Sequence, residues 1–165
     1  MPLSAIVKNF RSGTIAMQDA TATPISMTVA YESGDFKLSG VMQGQTEVAM
    51  YLDRGDFASL RKTNFTPCTF SFTAHMTEIS DSTSKNLMDV VSKTGAWSAG
   101  VSTLGSATDT VWTIDLTFTV EGTDAGDASD HVVALTKCHC KIDASEGDPN
   151  SFSISGTCYG AITLT

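Results

Sequence analysis

The sequence predicts a mainly β fold: an antiparallel β-sandwich or barrel with one short flanking α-helix and long hairpins and loops. Three observations predict it. Apolar and polar residues alternate over several long stretches, as they do in strands buried on one face. Only one stretch switches to a three- and four-residue period. The 165 residues are only 17% charged and include 13 glycines, a composition suited to short strands and many turns. That length suits one domain spanning residues 1–165, and nothing in the chain reads as a repeat or a linker.

Residues 67–97 hold both patterns. Phe70, Phe72, Ala74 and Met76 fall on one side of an extended chain, and Thr69, Ser71, Thr73 and His75 on the other. Leu87, Val90, Val91 and Thr94 then recur as one helix face, which predicts a helix over about residues 84–94. Asp81, Ser82, Thr83 and Ser84 are its N-cap candidates, and Gly95 is placed to stop it in a left-handed conformation.

The remaining elements follow in order. Apolar runs at residues 5–7 and 14–17 flank a turn at residues 11–13. Ile25, Met27, Val29 and Tyr31 share one strand face, a turn follows at residues 32–35, and Phe36, Lys37 and Leu38 open another strand. Ser39, Gly40, Val41, Met42, Gln43, Gly44, Gln45 and Thr46 form a flexible polar loop that carries two apolar residues. Apolar residues in such a loop either meet a partner surface or tuck onto their own domain, and both readings stay open. Val48, Met50 and Leu52 share a face of the next strand, and Arg54, Gly55 and Asp56 read as its turn rather than an adhesion tripeptide. Residues 57–66 read as a connector, and residues 96–108 as a loop of small residues.

The cleanest strand covers residues 110–121. Trp112, Ile114, Leu116, Phe118 and Val120 share one face, and Thr113, Asp115, Thr117, Thr119 and Glu121 the other. An acidic loop at residues 122–130 and a strand at residues 131–143 complete a long-tipped hairpin. After a turn at residues 144–150, Phe152, Ile154, Gly156, Cys158, Gly160, Ile162 and Leu164 carry one apolar face to the C-terminus. Gly156 and Gly160 permit a bend or bulge in it.

Several function classes lose support. The net charge is −8, a poor balance for gripping a phosphate backbone, which needs clustered Lys and Arg. Residues 1–8 lack a secretory pattern, and no stretch approaches the ~20 apolar residues of a membrane helix. Cys68, Cys138, Cys140 and Cys158 read as free, buried thiols, because they fall on apolar strand positions. Zinc ligands come from short turns with two or more intervening residues, whereas His139 faces away from Cys138 and Cys140. Glu121, Asp124, Asp127 and Asp130 lack the spacing of a calcium loop and read as a solvated tip. There is no phosphate-binding glycine loop and no nucleophile elbow, so the chain is expected to be no enzyme and to hold no cofactor.

The layout as a whole resembles a known family. Strands lead to a Gly-containing loop, then to Leu52, Asp53, Arg54, Gly55 and Asp56, then to Leu60 and Arg61. Pro67, Cys68, Thr69 and Phe70 follow, then a short helix ending in Val91, Ser92, Lys93, Thr94 and Gly95, then a long hairpin over residues 112–142. This resembles the major tail (tail tube) proteins of long-tailed bacteriophages. The resemblance implies a structural virion protein, assembled in the host bacterial cytoplasm, whose homo-hexameric rings stack into a hollow tail tube. Its implied partners are a tape-measure protein, tail terminator and baseplate proteins, and viral DNA that passes without specific binding. In that setting residues 39–46 are the candidate subunit-interface loop. Asp115, Glu121, Asp124 and Asp127 are candidates for an acidic lining that would keep DNA from adhering, or else for a solvated exterior. The competing reading is a β-sandwich binding module for a carbohydrate or receptor on a virion or cell surface.

Overall fold

A computed structural model of the chain describes residues 13–29, 35–40, 46–105, 111–122 and 128–165. Among them the element order is β1 (Thr14–Gln18), β2 (Ser26–Val29), β3 (Lys37–Ser39), β4 (Thr46–Asp53), β5 (Asp56–Phe65), β6 (Cys68–His75), α1 (Leu87–Ser92), β7 (Ile114–Val120), β8 (His131–Ser145), β9 (Ser151–Cys158) and β10 (Ile162–Leu164). A single 3-10 turn, Gly95–Trp97, follows α1. The expected fold class is the observed one: mainly antiparallel β with one short helix.

Eight strands form one antiparallel sheet in the order β2-β1-β7-β8-β9-β6-β3, with β10 also against β8. Strand β8 is its spine. The N-terminal half of β8 lies between β7 and β10, and its C-terminal half pairs with β9. The register slips where Lys137 adopts φ 57°, a left-handed bulge residue. Asp115 Oδ1 accepts the Lys137 N–H there at 3.0 Å, so this carboxylate caps the bulge.

One face of the sheet is the core. Ile15, Met17, Phe70, Phe72, Leu116, Phe118, Leu135, Phe152 and Ile154 all lie buried on it. Phe36, next to the edge strand β3, stacks on Phe118 of β7 with centroids 4.3 Å apart. Strands far apart in the sheet order therefore meet, and the sheet curls around its own apolar face. Gly156 lets the Phe70 ring of the paired strand lie close over β9, because a Cβ there would lie 2.3 Å from that ring.

The helix sits beside this core and is shorter than expected. It spans Leu87–Ser92, capped by Asn86, whose side chain accepts the Asp89 N–H, rather than by any residue from 81 to 84. The left-handed C-cap is Lys93 at φ 55°. Gly95 is also left-handed, at φ 50°, but it begins the 3-10 turn that carries Trp97 into the core. Trp112 Nε1 donates to the Val90 carbonyl at 2.6 Å and ties the helix to the approach of β7.

Two further expectations need correction. Residues 57–66 are no connector: nearly all of them form β5, a ten-residue strand. The C-terminal apolar face does not persist, since the chain bends after Cys158 and Leu164 is 64% exposed. The apolar run at 5–7, the turn residues 11–12 and 32–34, Tyr31, the loop residues Val41, Met42, Gln43, Gly44 and Gln45, and the acids Asp124 and Asp127 lie outside the described residues.

Candidate functional site: an exposed β-ribbon and a polar sheet face

Among the described residues, strands β4 and β5 stand apart from the eight-stranded sheet and pair only with each other. Their turn is a two-residue hairpin between the paired Asp53 and Asp56, with Arg54 at φ 50° and Gly55 at φ 92°. Left-handed conformations at both turn residues match the twist of the flanking strands, and glycine meets that demand without strain.

The pairing sorts the ribbon into two faces. Val48 opposes Lys62, Met50 opposes Leu60, Leu52 opposes Phe57 and Thr46 opposes Phe65. That face presents six large apolar side chains: Val48, Met50, Leu52, Phe57, Leu60 and Phe65 are each 46–63% exposed. The other face is polar and internally tied. Arg61 lies over the Tyr51 ring at 5.1 Å, and Asn64 Nδ2 donates to Glu47 Oε2 at 3.0 Å.

A lone two-stranded ribbon is marginal in water. Covering six half-exposed side chains would contribute on the order of 6 kcal/mol, at about 1 kcal/mol each, before the cost of association.

The outer face of the sheet is polar. Register aligns its side chains in rungs. Lys37, Ser71, Ser155 and Lys141 form one rung, and Ser39, Thr69, Thr157 and His139 the next. Together they line an open concavity of about 550 Å³. His139 Nδ1 faces the Trp112 carbonyl at 3.1 Å; a carbonyl only accepts, so this nitrogen carries the proton.

Two buried carboxylates were not singled out by sequence reasoning. Asp89 is fully buried and accepts from Ser80 Oγ, Thr94 Oγ1, the Asp81 N–H and Asn86 Nδ2 at 2.6–3.0 Å. Burial is the largest influence and pushes its pKa up, but these hydrogen bonds outweigh it and hold the carboxyl below its ordinary value. Asp19 accepts from the Ile25 N–H at 2.7 Å, the Val101 N–H at 2.9 Å and Thr21 Oγ1. Its pKa is also lowered, with burial again opposing the hydrogen bonds. Asp89 has two donors on each oxygen, and Asp19 has two on Oδ2 and one on Oδ1. They knot loops together.

All four cysteines are buried. Cys138 donates to the Cys158 sulfur, which pushes the Cys138 thiol up, and burial pushes Cys140 up to about 12. Among the described residues no group of three or more His, Cys, Asp or Glu could hold a metal ion. No described helix is long and apolar enough to cross a membrane.

The expected site residues separate in space. Ser39 lies on the polar rungs and Thr46 begins the ribbon. Asp115 is committed to the β8 bulge, and Glu121 is half-buried just beyond β7. The β4 half of the apolar ribbon face, Val48, Met50 and Leu52, was read from the sequence, but Phe57, Leu60 and Phe65 on β5 were missed. Register shifts between Thr46 and Val48 and between Tyr51 and Leu52 place extra residues in β5 and erase its alternation.

Comparisons bear on this geometry. No family model matches the sequence, and no curated protein does. Solved structures do match, over nearly the whole chain. The fold is one found in contractile injection systems. The sheath/tube terminator of the PVC extracellular contractile injection system, in its extended state, aligns with TM-score 0.61 at 10% identity, covering 99% of each chain. A chain of the PVC sheath-tube complex in the extended state aligns with TM-score 0.58 at 9% identity, covering 99% of this chain and 93% of that one. The tube-terminating cap of the anti-feeding prophage aligns with TM-score 0.54 at 9% identity, covering 100% of this chain and 94% of that one. At such identities the likeness is one of fold.

Proposed function

We propose that this protein is a structural, non-catalytic subunit of a phage-like tail, and that its copies join into hexameric rings that stack as a hollow tube. The observation that carries this reading is the β4–β5 ribbon. Its six exposed apolar side chains form one face that the described residues leave uncovered. A head-to-tail contact between copies closes into a ring, and a projecting ribbon supplies such a contact by lying on the next copy. The fold shared with a chain of a sheath-tube complex, a sheath/tube terminator and a tube-terminating cap supports the same reading. Residues 39–46 lead in sequence into β4 and belong to the same proposed contact. In the assembled tail the partners would be a tape-measure protein, terminator and baseplate proteins, and viral DNA in transit. Asp115, Glu121, Asp124 and Asp127 remain proposed lining residues, although the bulge contact already occupies the Asp115 carboxylate.

A second reading within this class is a terminal ring, because two of the matching structures are a terminator and a cap. Negative-stain electron microscopy across a concentration series, with light scattering, separates the two. Hollow tubes that lengthen with concentration are expected for the tube subunit. Single rings that never stack would identify a terminal ring. Strictly monomeric particles at every concentration would contradict both.

A further inference from the structure

We infer that the concave polar face formed by β3, β6, β9 and β8 is a binding site for phosphate groups. Two lysines mark its ends. Lys37 and Lys141 occupy opposite ends of one cross-strand rung, three strand spacings or about 14 Å apart at the backbone, with Ser71 and Ser155 between them. Both lysines are exposed, and among the described residues neither has a hydrogen-bond or ion-pair partner. Thr157 and His139 on the next rung add a hydroxyl and an imidazole to the same concavity.

The donor set selects the ligand. Ammonium groups only donate, and hydroxyls rotate to donate, so the surface offers many hydrogens to a group rich in acceptors. A phosphate presents several acceptor oxygens around one negative centre. The concavity of about 550 Å³ admits a diphosphate or two successive phosphates of a nucleic-acid backbone. Its lining contains no carboxylate. The adjacent rung, Thr73, Ser153 and Asp143, carries one, and Asp35 adds a second there by accepting the Thr73 N–H at 2.6 Å; these two end the site on that side. The chain's overall charge of −8 is therefore not the charge that a ligand meets here. This inference concerns the subunit's own surface and does not rest on ring or tube formation.

The test is titration calorimetry at low ionic strength with two probes, inorganic pyrophosphate and a twelve-residue oligothymidylate. The proteins compared are the parent and K37A/K141A. Both lysines are solvent-exposed and have no partner among the described residues, so the variant should fold, which circular dichroism and the melting temperature check. Saturable binding of either probe, weakened at least tenfold in the variant, is expected. If the oligonucleotide binds and pyrophosphate does not, the phosphate source is a nucleic-acid backbone. Its log–log salt slope should then be about −1.4, for two phosphates neutralised on a single strand. If only pyrophosphate binds, the site takes small phosphates. Binding of neither probe, or equal binding by the folded variant, would overturn the inference.

Discussion

Strands β6 and β4 are both eight residues long and both alternate, yet their fates differ. In β6, Phe70, Phe72 and Ala74 are 0–3% exposed, while in β4, Val48, Met50 and Leu52 are 46–59% exposed. The local pattern is the same, and the surroundings are not. Strand β6 lies between β9 and β3 in a sheet that curls over its own apolar face, whereas among the described residues β4 has only β5 beside it. Alternation specifies a strand and gives it an apolar face. What covers that face is decided by the rest of the chain, or by another molecule.

Matched substitutions sharpen the contrast. The largest effect is expected for Phe118→Ala, which empties a fully buried site and should lower subunit stability by about 3–5 kcal/mol in urea unfolding. Gly156→Ala should come next, at about 1–3 kcal/mol, because its new methyl group meets the Phe70 ring. An unchanged melting temperature would show that Phe70 has room to move aside.

Asp89→Asn should cost about 1–3 kcal/mol at neutral pH by replacing a carboxylate that its donors require. It should also alter the acid limb. The folded Asp89 carboxyl lies below its unfolded value, so its stabilisation is complete above the ordinary carboxylate range and is lost as pH falls through the lower folded value. Urea midpoints measured from pH 7 down to pH 3 should therefore fall less steeply in the variant. An identical slope in both proteins would mean that Asp89 does not carry that linkage.

The smallest effect on the isolated subunit belongs to Phe57→Ala, the ribbon's counterpart of Phe118→Ala. It should change stability by no more than about 0.5 kcal/mol, because Phe57 is 63% exposed. The same change should weaken self-association, measured by sedimentation of the parent and variant side by side. A loss of several kcal/mol in the monomer would place Phe57 in a core contact and break the contrast.

The strands around the core were legible because burial on one face enforces strict alternation, as Ile114 to Val120 and Phe152 to Cys158 show, whereas the expected alternation at Trp112 and Thr113 fails, since Thr113 is buried ahead of the strand. The helix was legible in place but not in extent. Its ends are set by Asn86 and by the left-handed Lys93, and the buried Asp89 organises both through contacts reaching from Ser80 to Thr94. No sequence period encodes such a knot. Strand β5 was lost because its bulges break the two-residue period, and no buried face holds them to a pattern. The polar cradle was equally hidden. Lys37 and Lys141 are more than a hundred residues apart in sequence, and only the register through β6 and β9 brings them onto one rung.

The central claim is that the ribbon is an interface left open in the lone subunit. Hydrogen exchange of its backbone amides, followed by mass spectrometry from dilute to assembling concentrations, tests this most directly. At the lowest concentration, peptides covering residues 46–65 should exchange within seconds while those from β7, β8 and β9 stay protected. As assembly proceeds, protection should rise selectively in residues 46–65. Strong protection of the ribbon in the dilute monomer, or full assembly with the ribbon still exchanging freely, would contradict the account.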